Sequence, residues 1–308
     1  MRNRWVELLV EEAEADPGVH LVTGDLGFSV LEPFADRFPK RFTNAGISEQ
    51  NMAGVAAGLA LSGKKVYTYS IVNFGVTRCL EQIRNDICYH GADVTVVVVG
   101  GGVPYGTQGY THFGVEDVAF MRALPGMDVM LPADRRELEG CLRSRQGKRG
   151  PAYLRLARGG EADIHPGPVD AEGLIELLPP QAVTVVASGT ILGEARKAVL
   201  ALQARGMEVG LCSLPRLSTM AEHGLLALGR RCRTVVTVEE HLARGGSGGF
   251  VAECLAAVEG RPRVLRLGLE HGQLKKIGGQ DYLRKRNGID AASLEATLEG
   301  LLAGVGGV

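Results

Sequence analysis

"NAGISEQNMAGVAAGLALSGKKV", from Asn44 to Val66, is small or apolar almost throughout, and Glu49, Gln50 and Asn51 interrupt it near its start. From Met52 to Ala60 every residue is Met, Ala, Gly, Val or Leu. A helix of that composition has no polar face and is expected to pack all round. Glu49 leads into it. The helix dipole favours a carboxylate in a first turn, and Ser48 is placed to act as the cap. Those two facts alone would account for the residue. A carboxylate at the head of an apolar helix is nevertheless expected to be buried or held in an interface, and a buried charge is costly unless it is paired. On spacing alone, a capping and a catalytic reading of Glu49 stand equal.

Around this stretch, strand-like runs alternate with helical patterns. "VHLVT" (Val19–Thr23) and "KVYTYSIV" (Lys65–Val72) read as strands. "DVTVVVVGGG" (Asp93–Gly102) is an unbroken β-branched run, as in the centre of a parallel sheet covered on both faces. "DVMLP" and "AYLRL" follow. In "VTRCLEQIRNDI", Val76, Leu80, Ile83 and Ile87 recur at steps of four, three and four, which predicts a helix with an apolar stripe and with Arg78 and Gln82 on another face. The segment from Ala157 to Pro180 is rich in Gly, Pro and acidic residues and lacks periodicity. Beyond it "AVTVVAS", "EVGLCSL", "RTVVTVE" and "RVLRL" read as strands, with "GEARKAVLALQARG" and "GSGGFVAECLAAVEG" as helices. The expected fold is α/β in two domains, residues 1–158 and 181–308, each a mostly parallel sheet flanked by helices, joined by a linker over 159–180.

The 308 residues are 45% apolar and 22% charged, with a formal net charge of −1. This balance gives no electrostatic footprint for nucleic acid or an anionic membrane. Six scattered cysteines form no CxxC and no Cys/His cluster, so reduced thiols in a cytoplasmic protein are expected. The charged, helical-looking start "MRNRWVELLVEEAEADPG" has no secretory apolar core, and no run reaches membrane-spanning length. "GGGVPYG" follows a strand without opening a helix as a GxGxxG fingerprint would. "RGGSGGFVAE" lies between a strand and a helix, where its amides could hold an anion, but a structural glycine turn is the favoured reading. Walker and HExxH sequences are both absent.

The blocks "DLGFSV", "FPKRFTNAGISEQNMAGVAAGLALSGKKVYTYSIVNFGVTRCLEQIRNDI", "THFGVEDVAFMRALPGMDVMLPAD" and "TVEEHLARGGSGGFVAE" together resemble the transketolase family, from about Gly24 to the C-terminus. The resemblance implies a thiamine diphosphate enzyme. Glu49 would then hydrogen-bond N1′ of the cofactor's aminopyrimidine and, by sharing a proton there, favour the tautomer that activates the thiazolium carbon. Phe74 matches the aromatic that stacks on the pyrimidine, where a buried ring face suits the task. Ile47, Asp25 and Arg78 would border the cofactor, Arg78 and Gln82 either orienting the pocket or bridging domains. Ile71 stands where some members carry a second aromatic. Ser29 and Arg158 would meet the substrate's phosphate, with Arg155 an unranked rival to Arg158. An Arg suits a phosphate because its planar fork is bidentate and permanently charged. His112 matches the substrate-side histidine, a hydrogen-bond or proton-transfer partner for substrate hydroxyls. A further family histidine falls on Gly100, which sets this chain apart from transketolases proper.

Full-length members also carry a diphosphate-binding domain with a GDG…N motif, which this sequence lacks. The resemblance therefore implies the C-terminal half of a split enzyme. A partner chain would supply the diphosphate site and Mg2+ (or Ca2+), in a heterotetramer with two copies of each chain. The implied activity is transfer of a two-carbon ketol unit to an aldehyde from a ketose, with a phosphorylated sugar the expected donor. Half of a decarboxylating enzyme, like deoxyxylulose phosphate synthase or the 2-oxo acid dehydrogenase β-subunit, is the enzymatic alternative. A non-catalytic assembly partner is the other.

Overall fold

A computed structural model describes residues 1–305. The first sheet contains β1 (Val19–Thr23), β2 (Phe42–Asn44), β3 (Lys65–Ile71), β4 (Val94–Val99), β5 (Asp128–Met130) and β6 (Ala152–Leu156). The second contains β7 (Ile175–Leu178), β8 (Val183–Ser188), β9 (Gly210–Ser213), β11 (Thr234–Leu242) and β12 (Arg263–Leu269). The two-residue β10 (Arg216–Leu217) leaves the second half of the chain and joins the first sheet. The orders are β10-β5-β6-β4-β3-β1-β2 and β12-β11-β8-β9-β7. Every pairing is parallel except β10 with β5 and β7 with β9, each at a sheet edge.

The β-branched run behaves as its composition requires. All six residues of β4 are buried. Val96 and Val98 join one core, with the helix Glu49–Leu61, while Val97 and Val99 join the other, with the helices Arg2–Ala15 and Arg135–Ser144. The period-2 pleat thus feeds two apolar layers from one strand. In the second sheet the helices Leu192–Gln203 and Ala291–Val305 cover one face, and Thr219–Gly229 and Ser247–Ala256 the other. No helix of the described residues is long and apolar enough to cross a membrane.

Three local expectations change, and a fourth holds. The helix from Met52 to Ala60 is not packed all round within this chain: Asn51, Gly54, Gly58 and Leu61 form an exposed stripe, and a Cβ at either glycine would meet nothing within 4 Å. The stretch after β3 is no single α-helix but short α segments broken by a 3-10 turn at Thr77–Cys79 and a π turn at Ile83–Cys88. Val76, Ile83 and Ile87 are still buried, with Leu80 half-buried. The Gly- and Pro-rich segment contains β7, which a few apolar residues on an antiparallel edge suffice to make. Finally, the amides of "RGGSGG" have an internal anion: Glu239 on β11 accepts from Ser247 N at 2.7 Å, Gly248 N at 3.0 Å and the Ser247 hydroxyl at 2.9 Å.

Candidate active site

β1 is flanked by β2 on one side and by β3 on the other, so the chain reverses its direction of travel between β1 and β3. Open α/β sheets bind ligands at the carboxyl ends of strands beside such a reversal. The segments after β1, β2, β3 and β4 carry Asp25, Glu49, Phe74 and His112 there.

Glu49 is the first residue of its helix and only 4% exposed. Ser48 stands at the N-cap, but its hydroxyl makes no capping bond. Gly24 lets β1 pass close by, since a Cβ there would lie 3.4 Å from Glu49 Cγ. The carboxylate oxygens accept from Arg78 Nη1 at 3.2 and 3.3 Å. Arg78 is itself 47% exposed at the side chain. The pair opens onto a shallow cavity of about 420 Å3, lined by Ile47, Ser48, Glu49, Gln50 and Arg78. Burial, and then the Glu49 charge, push the neighbouring Cys79 thiol up to about 12, so it stays protonated.

The Arg78 guanidinium also lies 4.0 Å over the Phe74 ring. His112 meets that ring edge-on, with centroids 5.1 Å apart. Asn73 Nδ2 donates to Thr111 O at 2.8 Å, and the Thr111 hydroxyl lies 3.0 Å from His112 Nδ1. Gly75 allows this turn to sit tight on β4, with a Cβ there 3.1 Å from Val98 Cγ1. Glu49, Arg78, Phe74 and His112 therefore form one contiguous chain of contacts.

Asp25 and Ser29 are the only non-glycine residues with positive φ among those described, at 59° and 61°. A left-handed L-residue costs roughly 1–2 kcal/mol, and such strain gathers at functional sites. Asn44 holds the loop in place. Its Nδ2 donates to Asp25 Oδ1 at 2.8 Å, and its Oδ1 accepts from Asp25 N at 3.0 Å and Gly46 N at 2.9 Å. This staple joins the loop after β1 to the turn before Glu49, and sequence reasoning missed it; the signal was an Asn at a strand end two residues before Gly, an Asx turn. Ser29 N donates to Glu32 Oε1 at 2.7 Å.

The two candidate arginines separate. Arg155 is buried: Nε donates to Asp117 Oδ2 at 2.7 Å, and Nη2 donates to Gly114 O at 2.7 Å and Glu240 O at 3.1 Å. Arg158 makes one long bond, Nη1 to Pro104 O at 3.4 Å, and lies 5.1 Å over the Tyr105 ring. It borders a cavity of about 250 Å3 lined from both domains, not the one at Glu49. Gly100, with φ +84°, is required because any Cβ would collide with the Tyr105 ring. A tyrosine thus packs where the family's further histidine would project. Burial raises the Tyr105 pKa, while Arg158 and Arg2 oppose the rise. Arg2 Nε is buried without a partner. Arg2 and Tyr105 are further site candidates that no motif announced.

The family model described as transketolase, pyrimidine binding domain, matches residues 1–160, and that described as transketolase, C-terminal domain, matches residues 176–293. The chain is 32% identical over 302 residues to one subunit of the apulose-4-phosphate transketolase of Phocaeicola vulgatus, covering 96% of each. It is 35% identical over 285 residues to 1-deoxy-D-xylulose-5-phosphate synthase 1 of Geobacter sulfurreducens, covering 90% of this chain and 44% of that one. Among solved structures it is similar to a split-gene transketolase described as an inactive β4 tetramer, with a TM-score of 0.85 and 31% identity, covering 98% of this chain and 97% of that one.

Proposed function

This chain belongs to the transketolase family, and from that premise we propose that it is one component of a two-chain enzyme that transfers a two-carbon ketol unit from a ketose to an aldehyde. One observation carries the reading. The Arg78 guanidinium, a planar N–C–N group, hydrogen-bonds the buried Glu49 carboxylate while lying over the Phe74 ring. An aminopyrimidine needs those same two contacts, a carboxylate at a ring nitrogen and an aromatic face to stack on. The residues present therefore fit the pyrimidine end of thiamine diphosphate.

Thiamine diphosphate, when bound, supplies the carbanion chemistry that breaks and remakes a carbon–carbon bond beside a carbonyl. Glu49 would hold the pyrimidine's N1′ edge and share a proton with it, shielded from water by its burial. Phe74 would give the ring its face, with Asp25 and Ile47 at the border, and Arg78 would swing aside. His112, at the Phe74 edge, would exchange protons with substrate hydroxyls. Ser29 and Arg158 would take a substrate phosphate. In this reading a partner chain holds the diphosphate and Mg2+ (or Ca2+), and two copies of each chain assemble. The relative named as a transketolase subunit supports a two-chain enzyme. Gly100 and the likeness to the synthase favour a decarboxylating half-enzyme as the second reading, which pyruvate-dependent release of carbon dioxide would reveal.

The test is calorimetric titration of thiamine diphosphate with Mg2+ into this chain and into the complex it captures from its native lysate. Binding by the complex alone is expected. Glu49→Ala should abolish turnover with assembly intact. Near-normal turnover by that complex would overturn the catalytic reading.

A further inference from the structure

The loop that carries His112 is built into the second domain. Gly102 and Gly114 close its base by exchanging hydrogen bonds, at 2.7 Å from Gly102 N and 2.9 Å from Gly114 N. Val103, Phe113 and Val115, just inside and beyond that base, are fully buried among Val183, Val238 and Leu283 of the second domain. Leu242 N donates to Val115 O at 2.9 Å, and Gly278 N to Gly106 O at 3.2 Å.

At the centre of this seam is Glu240 on β11, 2% exposed. Its Oε1 accepts from Val103 N and from Gln280 Nε2, both at 2.8 Å. Its Oε2 accepts from Arg284 Nη2 at 2.6 Å and Nε at 2.9 Å. One carboxylate thus ties the first residue inside the loop to the helix Gln280–Arg286. Gly102, with φ +89°, is shaped for the approach: a Cβ there would stand 2.5 Å from Glu240 Oε1. A charge-assisted pair on a carboxylate this buried is the kind that fixes geometry as well as adding attraction. The backbone carbonyl of Glu240 is also held, by Arg155.

We propose that Glu240 is a positioning residue for the reaction: through Val103 N it sets the Gly102–Gly114 loop and hence the place of His112 against Phe74. The second domain would then take part in chemistry as well as assembly. This inference rests on the reading that His112 faces the substrate. Misplacement of a reacting group by about 1 Å can cost on the order of a hundredfold in rate, so Glu240→Gln should lower kcat/KM roughly 10- to 100-fold. Thiamine diphosphate affinity should not change.

Two measurements test it. Hydrogen exchange on the full chain should speed up at amides 102–114 in Glu240→Gln and in Gly102→Ala, which wedges the same contact from the other side, while β8 keeps its protection. In the active complex, Glu240→Gln should cost little once His112→Ala is present, because coupled residues are not additive. Unchanged exchange in the loop, or an equal loss with and without His112, would overturn the proposal. A His112→Ala complex with normal kinetics would instead refute the reading of His112, and the exchange result would still judge Glu240.

Discussion

Asp117→Asn offers a quantitative test of the division between Arg155 and Arg158. The Asp117 and Arg155 side chains are 2% and 9% exposed. Asp117 receives Arg155 Nε and Nη2 and the Tyr153 hydroxyl. Burial alone would lower the Arg155 pKa, yet Asp117, Tyr153 and Glu240 together raise it above the usual guanidinium value. Neutralising Asp117 removes the anion paired with that cation and leaves it only neutral acceptors at hydrogen-bond distance, among them the carbonyls of Gly114 and Glu240. Removing one partner of a buried ion pair costs about 3–5 kcal/mol. An unfolding entropy of about 2.1 cal/mol/K per residue, over 308 residues, makes each kcal/mol worth about 1.5 °C. The expected fall in Tm is therefore about 5–8 °C by scanning calorimetry of the purified chain. Replacing both charges, Asp117→Leu with Arg155→Met, should recover much of it, since well-packed apolar pairs often match buried ion pairs. Arg158→Met should move Tm by under about 1 °C, as expected for a side chain with one long bond, and should raise KM for phosphorylated substrates. A Tm for Asp117→Asn within about 1 °C of the parent, or a double variant worse than the single, would refute the argument.

The remaining predictions concern a buried acid–histidine cluster and the Gly100 turn. Asp134, Glu137 and His165 lie together, with Glu137 Oε1 and His165 Nε2 3.6 Å apart and neither hydrogen-bonded. Burial drives the Glu137 pKa up to about 7, against the pull of Ser213, Ala133 N and His165. Burial alone would lower the His165 pKa, but Asp134 and Glu137 outweigh it and raise the value. Both native groups hold protons more tightly than unfolded ones, so stability is lost as pH rises from about 4.5 through about 7 and past the raised His165 pKa. Asp134 is lowered despite burial, by His165 and backbone amides, and works only on the acid side. Tm should fall as pH rises from about 4.5 to about 7, and Glu137→Gln should flatten the fall; an unchanged slope would count against the cluster. At Gly100, Gly100→His should destabilise the chain by driving Cβ into Tyr105, and Tyr105→Gly should partly rescue it. Equal Tm values for the single and double variants would mean that the ring gives way freely.

Much of the frame was legible because burial leaves a chemical mark. β4 announced itself through four consecutive valines, which only a strand covered on both faces accommodates so readily. Glu49 stood out against an apolar helix, and its partner Arg78 lay on the expected helical stretch. Other features carried no such mark. Val76, Leu80, Ile83 and Ile87 fit an α-helical stripe, but the π turn at Ile83–Cys88 shifts the register, and period alone does not detect one inserted residue. Arg155 and Arg158 both sit at the end of β6, and their fates depend on Asp117, far away in the sequence. The packing of Tyr105 on Gly100 is a loop contact without periodicity. For the helix from Glu49 to Leu61, composition pointed to packing all round, whereas this chain leaves the stripe of Asn51, Gly54, Gly58 and Leu61 exposed.

That last point bears on how the site is divided. The His112 side is fastened within this chain, by Glu240, Gln280 and Arg284 from the second domain. The Glu49 side is bare: Ile47 is 79% exposed and Phe28 73%, and the two glycines of the helix stripe face open space. Of these, Ile47 borders the cavity at Glu49, and a large apolar side chain so exposed is costly to leave in water. Solvent exposure alone would select charged residues on the helix from Glu49 to Leu61, as it does on the helix Arg135–Ser144. A chain that fastens one wall of its site and leaves the other open has the form of half an enzyme, and this asymmetry supports the proposed second polypeptide.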